Sequence, residues 1–156
     1  MIEKNLTSLG IELPEPRKPA FAYVAVSLHA DVAYVSGQLP WLDADSVISG
    51  KLGRDVDVER GRQAARLCVL HGLASLKASI GNLDRVERIL KLTGFVASAD
   101  GFTQQPAVID GASTFLTELL GERGHHARSA IGVAELPRGA AVEVEMIVAL
   151  RDQSTR

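Results

Sequence analysis

The 156-residue chain has a single cysteine, Cys68. One thiol excludes an intramolecular disulfide framework, and Cys68, inside an apparent helix, reads as a small buried hydrophobe. Aromatic residues are few, at 4%, and Lys plus Arg (17) nearly balance Asp plus Glu (19), for a net charge of −2. A nucleic-acid surface needs basic excess and stacking platforms, so these shortages argue against RNA or DNA as the partner. No apolar run approaches a membrane span, and Met1-Ile2-Glu3-Lys4 has no signal-peptide pattern. The expectation is a soluble cytoplasmic protein without membrane contact. Repeats, low-complexity tracts and domain linkers are also missing, which leaves one domain of ordinary size. No Ser-His-Asp arrangement or glycine-rich phosphate loop stands out.

Pro14, Pro16 and Pro19, with Gly10 before them, predict an extended N-terminal arm over residues 1–19, pinned by Leu6, Leu9 and Ile11. The domain proper is then 20–156. Phe21–Ser27 and Val32–Gln38 read as a hairpin around His29-Ala30-Asp31. Trp41, in the turn that follows, reads as a packing residue. Val58–Ile80 is the strongest helical pattern: Ala65, Val69, Leu73, Leu76 and Ile80 make one stripe, Asp57 is the N-cap and Gly81 the terminator. Gly72 within it suggests close packing on a sheet, and His71 reads as a polar-face or capping residue. Val86–Ala97 reads as a strand behind a short helical connection. A second helix spans about Pro106–Leu120, with Asp110 in its first turn, where a carboxylate suits the macrodipole. The order strand, strand, helix, strand, helix, strand, strand predicts an α+β domain, one sheet with two helices on one face.

The C-terminal strand pair, read as neighbours over Gly124–Glu145, carries the chemistry. At strand period, Arg128 shares a face with Ala130, Gly132 and Ala134, residues too small to fill the space beside a guanidinium. Val142, Val144, Met146, Val148 and Leu150 form an apolar face, with Glu143 and Glu145 on the other side. Two readings fit. Arg128 forms a structural ion pair with Glu143 or Glu145, or the strands build a pocket in which Arg128 holds a small carboxylate and a glutamate activates water. His125-His126 with Glu122 does not make a metal site, because adjacent strand residues point to opposite faces and no third ligand is spaced suitably. Arg123, His125, His126 and Arg128 are the strongest handle for contact with phosphate.

His-Ala-Arg-Ser-Ala followed by Glu-Leu-Pro-Arg-Gly-Ala-Ala-Val-Glu-Val-Glu resembles the signature of the RidA/YjgF family, also called endoribonuclease L-PSP, whose characterised members are reactive imine deaminases. Val35–Pro40 (Val-Ser-Gly-Gln-Leu-Pro), Tyr23 upstream of it, and Leu92–Val96 ahead of Phe102 match in order, from about Ala20 to Leu150. The likeness is to a longer branch of the family. It implies a chorismate-mutase-like fold, a homotrimer with sites in clefts between subunits, and hydrolysis of 2-aminoacrylate-type imines to 2-keto acids and ammonia with no metal or organic cofactor. On this resemblance the small 2-imino or 2-oxo acid is bound by Arg128 through its carboxylate. Glu143 positions or activates water, with Glu145 as the other candidate carboxylate. Tyr23, Ser36, Asp110 and the main chain at Ala130 complete the pocket. Ala130 stands where the family often has cysteine, which removes a thiol, and Asp110 aligns with an asparagine. A non-catalytic carboxylate-binding or interaction trimer, and a ribonuclease, are the alternative functions.

Overall fold

A computed structural model describes residues 1–151. Its elements are α1 (Ile2–Ser8), β1 (Val26–His29), β2 (Val32–Gln38), α2 (Val58–Ile80), β3 (Val86–Ala97), α3 (Gln105–Leu120), β4 (Ala127–Val133) and β5 (Val142–Leu150). The five strands form one sheet in the order β1-β2-β5-β3-β4; β3 and β4 run parallel and the other pairs antiparallel. The parallel pair needs a crossover, and α3 supplies it.

α2 begins and ends where its capping residues predict. Asp57 accepts a hydrogen bond from the amide of Arg60, and Gly81 closes the helix at φ +84°. Helices α2 and α3 cover one face of the sheet, where Val142, Val144, Met146, Val148 and Leu150 of β5 and Ile89, Leu92 and Val96 of β3 are all buried. Gly72 does lie where α2 crosses the sheet: a side chain there would meet Cε of Met146 at 2.7 Å. Cys68 is fully buried, and burial pushes its thiol well up from the ordinary range.

Three expectations need correction. Residues Ile2–Ser8 are helical, so the arm is not extended throughout, and no further helix or strand forms before β1. The prolines act locally, so they leave the apolar Ile2 and Leu6 free to be buried on one side of a short helix. His71 is on the buried side of α2, its Nε2 bonded to the carbonyl of Trp41 at 3.2 Å. Burial depresses its pKa and keeps it neutral. The last two strands are not neighbours either, since β3 lies between β4 and β5. Trp41 is packed as expected, with the guanidinium of Arg17 3.5 Å from its ring centroid and that of Arg138 4.9 Å away. Arg17 also donates to the carbonyl of Ala44 (2.8 Å), so the proline-containing segment is tied to the loop after β2.

Helices α2 and α3 approach closely at Gly111. A Cβ there would lie 2.7 Å from Cα and the carbonyl carbon of Arg62, and main chain cannot swing aside as Met146 can. Gly111→Ala should cost about 1–3 kcal/mol, read as a lower denaturation midpoint, whereas Gly72→Ala should be much milder. Equal midpoints for Gly111→Ala and the native chain would refute the close approach.

Candidate active site

Alternation along β3 decides where the functional side chains point. Arg128 pairs with Leu92, and Leu92 with Met146, so Arg128 is on the helix-covered face. Glu143 pairs with Phe95, one residue out of phase with that set, and so projects from the opposite face. Arg128 is on the edge strand and Glu143 two strands inward, so the expected single pocket holding both does not form within one chain. The alternative pairing of Arg128 with Glu143 or Glu145 is equally absent.

Instead, Arg128 lies along α3. Its Nη1 donates to Oδ1 of Asp110 (2.7 Å) and to Oγ of Ser113 (3.2 Å), and Nη2 donates to the carbonyl of Pro106 (3.4 Å). Pro106, Asp110 and Ser113 stand four and three residues apart, on one stripe of the helix. Asp110 is in the second turn of α3, because the helix starts at Gln105. Its place is explained by Arg128 rather than by the macrodipole. The small-residue floor beside Arg128 is filled too: Ile109 packs on Gly94, which pairs with Ala130, and Gln105 packs over Gly132. Ala130 is part of the border of the core.

Ser113 and His126 belong to the same group, and nothing in their 13-residue separation shows it. Nδ1 of His126 lies 2.6 Å from the carbonyl of Gly124, which can only accept, so Nδ1 carries the proton. Nε2 is then the acceptor for the Ser113 hydroxyl at 2.9 Å. Burial, partly opposed by the Gly124 bond and reinforced by Arg128 and His125, lowers the His126 pKa and favours the neutral ring. The chain of bonds therefore has one direction, from Arg128 through Ser113 and His126 to Gly124.

The second group is on the other face. Glu143 lies against the α-carbon of Gly37, in the bulge of β2 between Val35 and Gln38, where no side chain intervenes. Burial first, and then the neighbouring Glu145, raise the Glu143 pKa above its ordinary 4.5. Ser36 in the same bulge spends its hydroxyl on the carbonyl of Val24 (2.7 Å), which ties down the segment carrying Tyr23. Tyr23 is 53% exposed, beside the still more exposed Phe21 and Val24. Among the described residues, no three His, Cys, Asp or Glu side chains gather as a metal site.

The family model described as "YjgF/chorismate_mutase-like, putative endoribonuclease" matches residues 3–149. The chain belongs to this family. The match takes in α1 as well as the sheet, and the α+β domain has the chorismate-mutase-like fold of the RidA/YjgF proteins. Protein TCP17 of Trypanosoma cruzi is 44% identical over 152 residues, 97% of this chain and 95% of its own length. The crystal structure of Atu1372, a protein of unknown function from Agrobacterium tumefaciens, is similar at a TM-score of 0.86 and 42% identity, covering 97% of this chain and 92% of that one. A Shewanella oneidensis MR-1 structure reaches a TM-score of 0.92 at 32% identity, over 96% of this chain and 99% of that one.

In this member of the family the half-buried carboxyl of Glu143 has a consequence for stability. A raised folded pKa means that the folded chain holds the Glu143 proton more tightly than the unfolded chain does. Stability is therefore lost as pH rises from about 4.5 through the folded pKa. Glu143→Gln, neutral and of the same shape, should be more stable than the native protein at pH 7, and the difference should vanish below pH 4.5. Chemical denaturation at both pH values checks this; a Glu143→Gln protein less stable at pH 7 contradicts it.

Proposed function

We propose that this protein is a RidA-type deaminase that hydrolyses reactive imines of the 2-aminoacrylate kind to 2-keto acids and ammonia, at sites between the subunits of a homotrimer. The observation that carries the reading is Arg128. Its Nη1 is held by Asp110 and Ser113, while Nε has no partner among the described residues and Nη2 makes only the long bond to Pro106. That leaves the Nε/Nη2 edge for the bidentate grip a carboxylate takes.

Glu143 supplies the second function. A half-buried carboxylate with a raised pKa is suited to taking a proton from water near neutral pH. Water adds to the imine carbon while Glu143 accepts its proton. Glu143 returns that proton to nitrogen, and as the carbon–nitrogen bond breaks the carbinolamine hydroxyl gives up its own proton to the departing nitrogen, so that ammonia leaves a keto group behind. Imines already hydrolyse in water, so holding the carboxylate and one water in register is most of what the site needs to do.

Since Arg128 and Glu143 are on opposite faces of one sheet, a shared site takes Arg128 from one subunit and Glu143, Gly37, Ser36 and Tyr23 from the next. The sheet face away from the helices supports such a boundary: it carries Tyr34 (47% exposed), Ile131 (44% exposed), Phe95 and Ile147 around the glutamates. The family's description favours ribonuclease as the second reading. The net charge of −2 argues against it, and Arg123 and His126 of the basic group are already hydrogen-bonded within the chain.

Purified protein should accelerate hydrolysis of 2-aminoacrylate generated in situ, and Arg128→Ala or Glu143→Gln should each reduce that acceleration by about 10²-fold or more. Native protein that leaves the rate unchanged sinks the deaminase reading, and salt-sensitive RNA cleavage would replace it. Trimers reassembled from equal amounts of the two inactive variants should recover about a quarter of native activity, because some interfaces then join two intact halves. Mixed trimers as inactive as their parents would place both residues in one subunit's site.

A further inference from the structure

We propose that His126, acting through the hydroxyl of Ser113, is a positioning residue that holds the guanidinium of Arg128 in place for a carboxylate. The inference rests on Arg128 as the carboxylate anchor, and it gives a function to two residues outside the reaction itself.

Asp110 alone is a poor holder. Its side chain is 51% exposed, and water screens an ion pair of that kind. A single contact also leaves a guanidinium free to turn about it. Ser113, one turn further along α3, accepts from the same Nη1 at 3.2 Å. With Asp110 and Ser113 both accepting from Nη1, the plane of the group is set as well as its place.

That second contact needs a hydroxyl turned the right way. A serine in mid-helix can donate its hydrogen to the carbonyl of the preceding turn instead. Thr117 on the same helix does so, its Oγ1 donating to the carbonyls of Ser113 (3.3 Å) and Thr114 (2.9 Å). Ser113 does not. Its hydrogen goes to Nε2 of His126 at 2.9 Å, which leaves the lone pairs of its oxygen for Arg128. The arrangement holds only while Nε2 is bare. The carbonyl of Gly124, 2.6 Å from Nδ1, keeps it bare by taking the one proton of the neutral ring. Gly124 is in turn buried against α3, where a Cβ would lie 2.8 Å from Cα of Thr117. Helix α3 thus backs both ends of the chain of bonds, and His126, two residues before Arg128, joins them.

Without His126 the Ser113 hydroxyl can turn away, and Arg128 keeps only the exposed carboxylate. Its grip on a ligand then weakens, while Glu143 on the other face of the sheet is untouched. The loss is one of binding, so it raises KM and spares kcat.

The test is titration at pH 7 with pyruvate, used as a plain carboxylate probe. Ser113→Ala and His126→Leu should each weaken binding roughly tenfold, the effect of losing one hydrogen bond to a charged group. The variant carrying both changes should be no weaker than Ser113→Ala, because His126 acts through Ser113. His126→Gln, whose amide oxygen can accept from Ser113, should recover most of the affinity. With 2-aminoacrylate generated in situ, the losses should fall on KM, and nitrogen NMR of the native protein should find the His126 proton on Nδ1. Losses that add in the double variant, losses carried by kcat, an affinity untouched by either single change, or a neutral ring protonated on Nε2 each overturn the inference, while Arg128→Ala still abolishes pyruvate binding. If the native protein does not bind pyruvate, or Arg128→Ala binds it equally well, Arg128 is not a carboxylate anchor and the parent reading falls as well.

Discussion

Strand β3 is hydrogen-bonded along both edges, antiparallel to β5 and parallel to β4, and this double pairing governs the rest of the chain. Its alternation is imposed on both neighbours. The phase that buries Ile89, Leu92 and Val96 also sends Arg128 toward α3, and it sends Glu143 out through the bare face. A slip of one residue in either ladder would exchange core and surface along a whole strand. The position of the two candidate catalytic groups is therefore held by the same hydrophobic burial that holds the fold.

The crossover that a parallel pair demands gives α3 its part in the site. It lies over β3 and β4, so its stripe of Pro106, Asp110 and Ser113 is brought against the one long side chain that β4 presents on that face. The close approach depends on small residues. Gly94 receives Ile109, Gly132 receives Gln105, and Gly111 lets α3 meet the backbone of α2. Larger residues there would lift α3 and separate Asp110 from Arg128, although none of the three glycines touches either charge.

The group around Glu143 is on the face that no helix covers. Glu143 is half-buried, close to a second carboxylate, and its neighbour in the β2 bulge is a glycine with nothing to donate from a side chain. Such an arrangement lowers stability at neutral pH, and it is what moves a carboxyl toward the range where proton transfer from water is useful. Glu143, the glycine of the bulge that it meets and the apolar residues of the bare face all gather on the side of the sheet that no helix covers.

By itself the sequence determined the elements and the family. The boundaries of α2 follow from Asp57, the apolar stripe and Gly81; β3 follows from its aliphatic and aromatic bulk and β5 from its alternation; and the signature around Arg128 and Glu143 marks the RidA/YjgF chain. These are local signals, carried within a few residues of the feature they specify. The helix at Ile2–Ser8 was hidden because the prolines downstream dominate the composition of that stretch. What only the tertiary structure decided is which side chains meet. The partner of Arg128 is Asp110, 18 residues earlier, rather than the glutamates of the last strand. His126 serves Ser113, and β3 separates two strands that follow one another in the chain. The physical reason is that sheet order and helix placement are set by the burial of the whole apolar face. No residue's near neighbours record which strand will lie between two others.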